Sequence, residues 1–262
     1  MDVSTSGSQG GPLSGRVAIV TGAGQGVGEG IARKLAAEGA TVVIAARRAE
    51  TGDPVAAAIR ADGGSAECIV TDVTERAPIE ACVAETVARH GRLDVMVHNA
   101  FAGGVASRLE ETPPEVWFQM SRTSAWASFW CAQASHPHLA ASDQGRLVLV
   151  TSPSGVEGSA NIPLYSPAKA AQRAIAKSLA REWGPDGITV NCIAPVAETP
   201  ALAGAFQQVP ELRGAIEART PLGRIGDPVA DIGGVVAFLA GPDAGYVSGQ
   251  TIVCDGGSFL GL

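Results

Sequence analysis

The sequence predicts an α/β chain folded as one doubly wound parallel sheet of seven strands flanked by helices. Short Val, Ile, Leu and Ala runs, apolar at nearly every position, alternate with helix-patterned segments along the whole chain. Strands without polar alternation are those buried on both faces of a parallel sheet. A glycine-rich turn also leads directly from the first strand into the first helix, an arrangement that lets backbone N–H groups hold an anion. Regular alternation of the two patterns argues against separate helical and strand domains.

The first expected strand is Val17–Thr21, followed by the turn and a helix over Gly28–Glu38. Thr41–Ala45 and Ala66–Val70 are the second and third strands, and a helical pattern over Pro78–His90 follows. Leu93–Val97 leads to a helix over Glu115–Ala134, and Arg146–Thr151 to one over Ser166–Trp183. Ile188–Ile193 is the sixth strand. After it comes the longest irregular stretch, 195–224, with Pro195, Pro200, Pro210 and Pro221; it reads as a mobile lid with helix-capable pieces. A helix over Pro228–Ala240 and a strand over Thr251–Cys254 close the chain. Residues 1–14, rich in Ser and Gly, read as a disordered tail, which leaves 15–262 as a single domain.

At 262 residues the chain is long enough for one full core. A net charge of −7 and a pI near 5.1 argue against nucleic acid as a partner. No apolar run reaches the ~18 residues of a membrane span. The start lacks a basic region followed by an apolar one, so a cytoplasmic protein is expected. The five Cys are scattered and form no C-x-x-C pair, which reads as reduced thiols. His136 and His138 have no carboxylate or Cys cluster beside them, so no metal site is expected.

The chemistry concentrates in Tyr165-Ser166-Pro167-Ala168-Lys169, with Ser152 upstream. On a helix, residues i and i+4 share a face. Opposite charges about 5 Å apart attract by roughly 3 kcal/mol at an effective dielectric near 20, so the ammonium is expected to lower the pKa of the phenol for general acid–base work. The chain has only three Lys among its nineteen basic residues, and only two Tyr. A Lys here therefore marks a place where a compact point charge matters. A surface Tyr resting on a Lys stem is the alternative.

The turn Thr21-Gly22-Ala23-Gly24-Gln25-Gly26-Val27-Gly28 meets the pattern T-G-x-x-x-G-x-G, and not G-x-G-x-x-G, because position 27 is Val. Together with Asp72-Val73, Asn99-Ala100, Ser152, Tyr165/Lys169, Asn191 to Pro195, and Gly249-Gln250 to Asp255-Gly256-Gly257, it resembles the short-chain dehydrogenase/reductase family in its short single-domain branch. The resemblance runs from Leu13 to Gly257 and implies a Rossmann-type fold and NAD(P)-dependent hydride transfer between a carbonyl compound and an alcohol.

The resemblance further implies that Ser152 binds the substrate oxygen, that Tyr165 is the proton donor, and that Lys169 lowers the Tyr pKa and holds the nicotinamide ribose. Ser124 stands where the family's relay Asn belongs. Cofactor contacts are implied for Gly22, Gly24, Gln25, Gly26, Val27, Gly28, Arg47, Arg48, Asp72, Val73, Asn99, Ala100, Phe101, Tyr165, Lys169, Pro195, Val196 and Thr199. Asp72 would hold the adenine amino group. Strand two ends in Ala45-Ala46-Arg47-Arg48 with no acid to bind a 2′-hydroxyl, and Arg47 or Arg48 can pair with a 2′-phosphate. NADP is thus favoured over NAD, which stays open.

Three places depart from the family pattern: His98-Asn99-Ala100-Phe101 for Asn-Asn-Ala-Gly, Ser124 for Asn, and Pro195-Val196 for Pro-Gly. Phe101 and Val196 are expected to narrow the nicotinamide pocket. The lid residues Ala201, Leu202, Ala203, Phe206, Val209 and Leu212 favour an apolar or alicyclic carbonyl substrate, or else pack on the core. Asp143 and Asp186 fall where carrier-protein reductases dock with Arg, which disfavours a 3-oxoacyl thioester. Trp117, Phe118, Trp126, Phe129 and Trp130 are too many aromatics for one buried helix face, so a homodimer or homotetramer is expected. A cofactor-binding regulator without turnover is the competing class; an epimerase or dehydratase of the longer branch is opposed by the chain's short length.

Overall fold

The computed structural model of the protein describes residues 10–103, 108–160 and 162–259. Seven strands form one parallel sheet: β1 Val17–Thr21, β2 Thr41–Ala46, β3 Ser65–Val70, β4 Val95–His98, β5 Arg146–Val150, β6 Thr189–Pro195 and β7 Thr251–Cys254, in the spatial order β3-β2-β1-β4-β5-β6-β7. The chain leaves β1 toward one edge and returns to its other side at β4. The strand order therefore reverses between β1 and β4, and a crevice opens beyond their carboxyl ends. Thr21, the last residue of β1, pairs with Ala45 on one side and His98 on the other.

The apolar strand sequences follow from two cores. Alternate residues face opposite layers: Ala18 and Val20 join one cluster while Ile19 joins the other, and Val42 and Ile44 oppose Val43 and Ala45. The first layer holds α1 (Gly26–Ala37), α2 (Ala49–Ala61) and Val236 to Ala240; the second holds α3 (Arg76–His90) and the helices packed on β4 and β5.

The helix expected over Glu115–Ala134 is longer and broken. It runs as α4 (Pro114–Ser121), a π-helical turn Arg122–Trp126, and α5 (Ala127–Ala141), which passes through Pro137. A short α6 (Ser154–Glu157) precedes α7 (Tyr165–Glu182). The stretch expected to be a lid contains α8 (Pro200–Gln208) and α9 (Glu211–Arg219), and neither buries a residue. A second π-helical turn, Pro228–Gly233, leads into α10 (Gly234–Ala240).

Of the tail expected over 1–14, positions 1–9 lie outside the described residues. Within residues 10–14, Leu13 anchors the chain: it is fully buried and its N–H donates to the Glu38 carbonyl at 2.9 Å, while its neighbours are exposed. Phe118, Trp126 and Phe129 are exposed, so these aromatics do not line the core. No helix among the described residues is long and apolar enough to cross a membrane.

Candidate active site

A cleft of about 470 Å³ occupies the crevice over β1 and β4, a size usual for small-molecule and cofactor sites. Its floor is the glycine turn. Gly22 has φ +66°, and a Cβ there would lie 2.7 Å from the Ala100 Cα; at Gly28 a Cβ would lie 2.4 Å from the Asn99 amide nitrogen. Only glycine lets the turn and α1 close on the end of β4 this tightly. The cap residue Gln25 makes no side-chain bond to the helix start, so the first-turn N–H groups of α1 lack a side-chain partner.

Asn99 and Thr21 clamp the cleft floor. The Thr21 hydroxyl accepts from the N–H groups of Asn99 (3.0 Å) and Ala100 (3.1 Å), while the Asn99 amide donates to the carbonyls of Thr21 (2.9 Å) and Gly22 (3.2 Å). His98 extends this clamp: its Nδ1 lies 2.9 Å from the Thr21 hydroxyl and its Nε2 3.1 Å from the Thr123 carbonyl in the π turn. A carbonyl only accepts, so Nε2 carries the proton and Nδ1 accepts from Thr21. Burial pushes the ring's pKa down to about 3, with the Lys169 charge adding to it, which keeps His98 neutral.

At one end the cleft is lined by Arg47, Arg48, Thr51, Asp72, Val73 and Thr74. Both arginines are exposed, and neither has an ion pair among the described residues. One Asp72 oxygen accepts from the N–H and hydroxyl of Thr74 at 2.9 and 2.8 Å, and the other accepts no hydrogen bond among the described residues. A glycine cradle, unpaired guanidinium groups and a free carboxylate oxygen fit a nicotinamide dinucleotide.

At the other end stand Phe101, Ala102, Thr123 and Tyr165. Tyr165 opens α7, and Ser152 follows β5. Burial raises the Tyr165 pKa, and a hydrogen bond with Ser152 pulls it partly back. The lowering expected from Lys169 is not realised. Lys169 is 3% exposed, its Nζ donates to the Val150 carbonyl at 2.9 Å, and burial pushes its pKa down to about 7. Its Nζ lies 4.5 Å from the centre of the Phe101 ring and 5.9 Å from that of Tyr165.

The structure thus brings Ser152, Tyr165 and Lys169 together near Phe101, and of these four Tyr165 and Phe101 line the end of the cleft. It does not bring the Ser124 side chain there: the residue is fully buried and its hydroxyl donates back to the Met120 carbonyl at 2.5 Å. Pro195 and Val196 also do not line the cleft. Val196 borders a separate cavity of about 180 Å³ with Leu222 and Cys254, because its N–H is held by the Cys254 carbonyl at 2.9 Å. Of the apolar lid residues only Ala201 reaches the cleft, beside Thr199 and Pro200. Ala203 and Phe206 border another cavity against Arg33 and Pro228. Thr21, Thr51, Thr74, Ala102 and Thr123 are among the site residues that sequence reasoning missed. Thr21 was within the turn pattern, and only strand pairing shows that its hydroxyl serves two amides.

The family model described as enoyl-(acyl carrier protein) reductase matches residues 22–258. The dehydrogenase/reductase SDR family member 4 of Bos taurus is 32% identical, covering 96% of this chain and 90% of its own. The chain belongs to the short-chain dehydrogenase/reductase family. Its relatives in that family include the cis-4-hydroxycyclohexanecarboxylate dehydrogenase of Sinomonas cyclohexanicum, 37% identical over 92% of this chain and 96% of that one. A putative short-chain alcohol dehydrogenase from Sinorhizobium meliloti 1021 superposes with a TM-score of 0.88 at 31% identity, covering 94% of this chain and 97% of that one. As a short-chain dehydrogenase/reductase the protein is an NAD(P)-dependent oxidoreductase acting on a small molecule.

Proposed function

We propose that the protein is an NADPH-preferring reductase of an apolar or alicyclic carbonyl compound, with the secondary alcohol as its reverse substrate. The observation that carries this reading is the Tyr165 phenol, which stands near Ser152 at the end of a cleft whose far end holds Arg47 and Arg48. When bound, the dihydronicotinamide supplies the hydride. Ser152 donates to the substrate oxygen and orients it. Tyr165 holds a proton on its hydroxyl and delivers it to that oxygen as negative charge develops there. The raised pKa of Tyr165 keeps the phenol protonated at neutral pH, which suits the reductive direction. Arg47 and Arg48 offer charge-assisted hydrogen bonds to a 2′-phosphate.

A ring-shaped substrate is supported by the aromatic wall of Phe101 and Tyr165 and by relatives named for cyclic compounds, the cyclohexanecarboxylate dehydrogenase among them. A carrier-linked 3-oxoacyl substrate fits less well. Asp143 and Asp186 present carboxylates at the surface, and their partners Arg92 and His136 lie on neighbouring elements. The exposed Phe118, Trp126 and Phe129 support assembly through α4 and α5 into a homodimer or homotetramer. The Phe101 ring on Lys169 favours one second reading, a cofactor binder with little turnover.

Following NADPH oxidation with a panel of cyclic and linear ketones, aldehydes and quinones tests the proposal. Turnover of cyclic ketones is expected, and Tyr165→Phe is expected to lower it by about 10²–10⁴-fold. Arg47→Ala is expected to weaken NADPH about tenfold and leave NADH unchanged. NADPH binding without turnover on any carbonyl would favour the second reading.

A further inference from the structure

Lys169 and Ser152 do not line the cleft, although Tyr165 does. Against Lys169 stands the Phe101 ring, which does line the cleft. Its centre lies 4.5 Å from the Lys169 Nζ, and it meets the Tyr165 ring edge-on at 5.1 Å and 84°. One Lys169 N–H is spent on the Val150 carbonyl. The ring covers the ammonium on the side of the cleft, in the geometry of a cation–π contact. The backbone on either side is pinned. Asn99 and Ala100 donate to the Thr21 hydroxyl, and the Ala102 N–H and carbonyl both bond the Thr123 hydroxyl at 3.2 Å. Ligand access to Lys169 therefore requires the Phe101 side chain to rotate away while its backbone stays fixed.

We propose that Phe101 is the residue that sets affinity for the nicotinamide half of the cofactor, by competing with that half for the ammonium of Lys169. The proposal rests on the reading of the cleft as an NAD(P) site. The adenine half, some distance away at Arg47, Arg48 and Asp72, does not meet the ring. Affinity for an adenine-half fragment is therefore independent of residue 101, while affinity for the whole dinucleotide is reduced by the loss of the Phe101–Lys169 contact and by the ring's displacement.

The test is calorimetric titration of wild type, Phe101→Gly and Phe101→Leu with NADP+ and with adenosine 2′,5′-bisphosphate, and in parallel with NAD+ and AMP. Phe101→Gly is expected to bind the matching dinucleotide about tenfold more tightly, the scale of a desolvated cation–π contact, with the fragment Kd unchanged. Phe101→Leu keeps apolar bulk without a π face and is expected to show part of the gain; it decides the question if the glycine variant does not fold. Equal changes for dinucleotide and fragment, or dinucleotide binding that is unchanged or weaker, would overturn the proposal and leave the cofactor reading intact. Failure of every nucleotide to bind any of the three proteins would overturn both.

Discussion

The hydroxyl of Thr151 donates to the backbone carbonyl of Lys169 at 2.8 Å. Because the Lys169 side chain donates to the carbonyl of Val150, the first turns of α7 are tied to the end of β5 from both directions. That stitching sets Ser152 beside Tyr165. Thr151→Val keeps the side-chain shape and deletes the bond. It is expected to cost about 1 kcal/mol, read as a lower urea midpoint, and to reduce kcat more than it alters KM for the carbonyl substrate. Thr151→Ser should restore both.

Lys169 makes stability depend on pH on the alkaline side. Its ordinary value of 10.5 falls to about 7 in the fold through burial. Between those values the unfolded chain binds the extra proton, so stability rises with pH. The cost of burying the ammonium is complete below pH 7 and is relieved as pH approaches 10.5. Lys169→Met is therefore expected to be more stable than wild type at neutral pH, by a margin that shrinks in urea melts as the pH is raised. A margin independent of pH would contradict the burial of a titrating group.

His98 acts on the acid side. Burial holds it neutral down to about pH 3, whereas the unfolded ring protonates near 6.5. In that window the unfolded chain again binds the extra proton, so stability is present above 6.5 and is lost as pH falls toward 3. His98→Asn is expected to flatten this limb of the stability profile. A profile as steep as wild type in the variant would assign acid sensitivity to other groups.

The direction of the reaction should read out Tyr165. With its pKa raised by burial, the phenol is the resting form. Ketone reduction is expected to stay level through neutral pH, while alcohol oxidation, which needs the phenolate, climbs on the alkaline side. Steady-state rates in both directions against pH check this. Ser152→Ala should lower both, by about 10² or more, without moving the fold's urea midpoint.

The sheet was legible in the sequence because burial on both faces leaves strands such as Val42–Ala45 with no polar position to disguise them. The helix α2 was harder to read: it is Ala-rich, starts directly after Arg48 and carries Pro54 inside it. At the site, the pairing of Tyr165 with Lys169 could be read from spacing, since neighbours on one helix meet whatever the rest of the chain does; Ser152, in the loop after β5, was read from the resemblance. Ser124 and Val196 could not. A π turn rotates Ser124 so that its hydroxyl returns to Met120, and pairing with β7 directs Val196 to another cavity. Ser124 bonds within its own stretch of helix, four residues back, while the place of Val196 depends on a contact between distant segments. The same holds for Phe101, whose contact with Lys169 spans from the loop after β4 to α7.

The two helices after β6, α8 and α9, bury no residue. Their sequences are thus free of the volume constraints that bind core positions. Mutations there leave the sheet and the packing beneath Ser152 and Tyr165 untouched. The sequence of this stretch can in this way drift over evolutionary time, or be varied in the laboratory, one surface substitution after another.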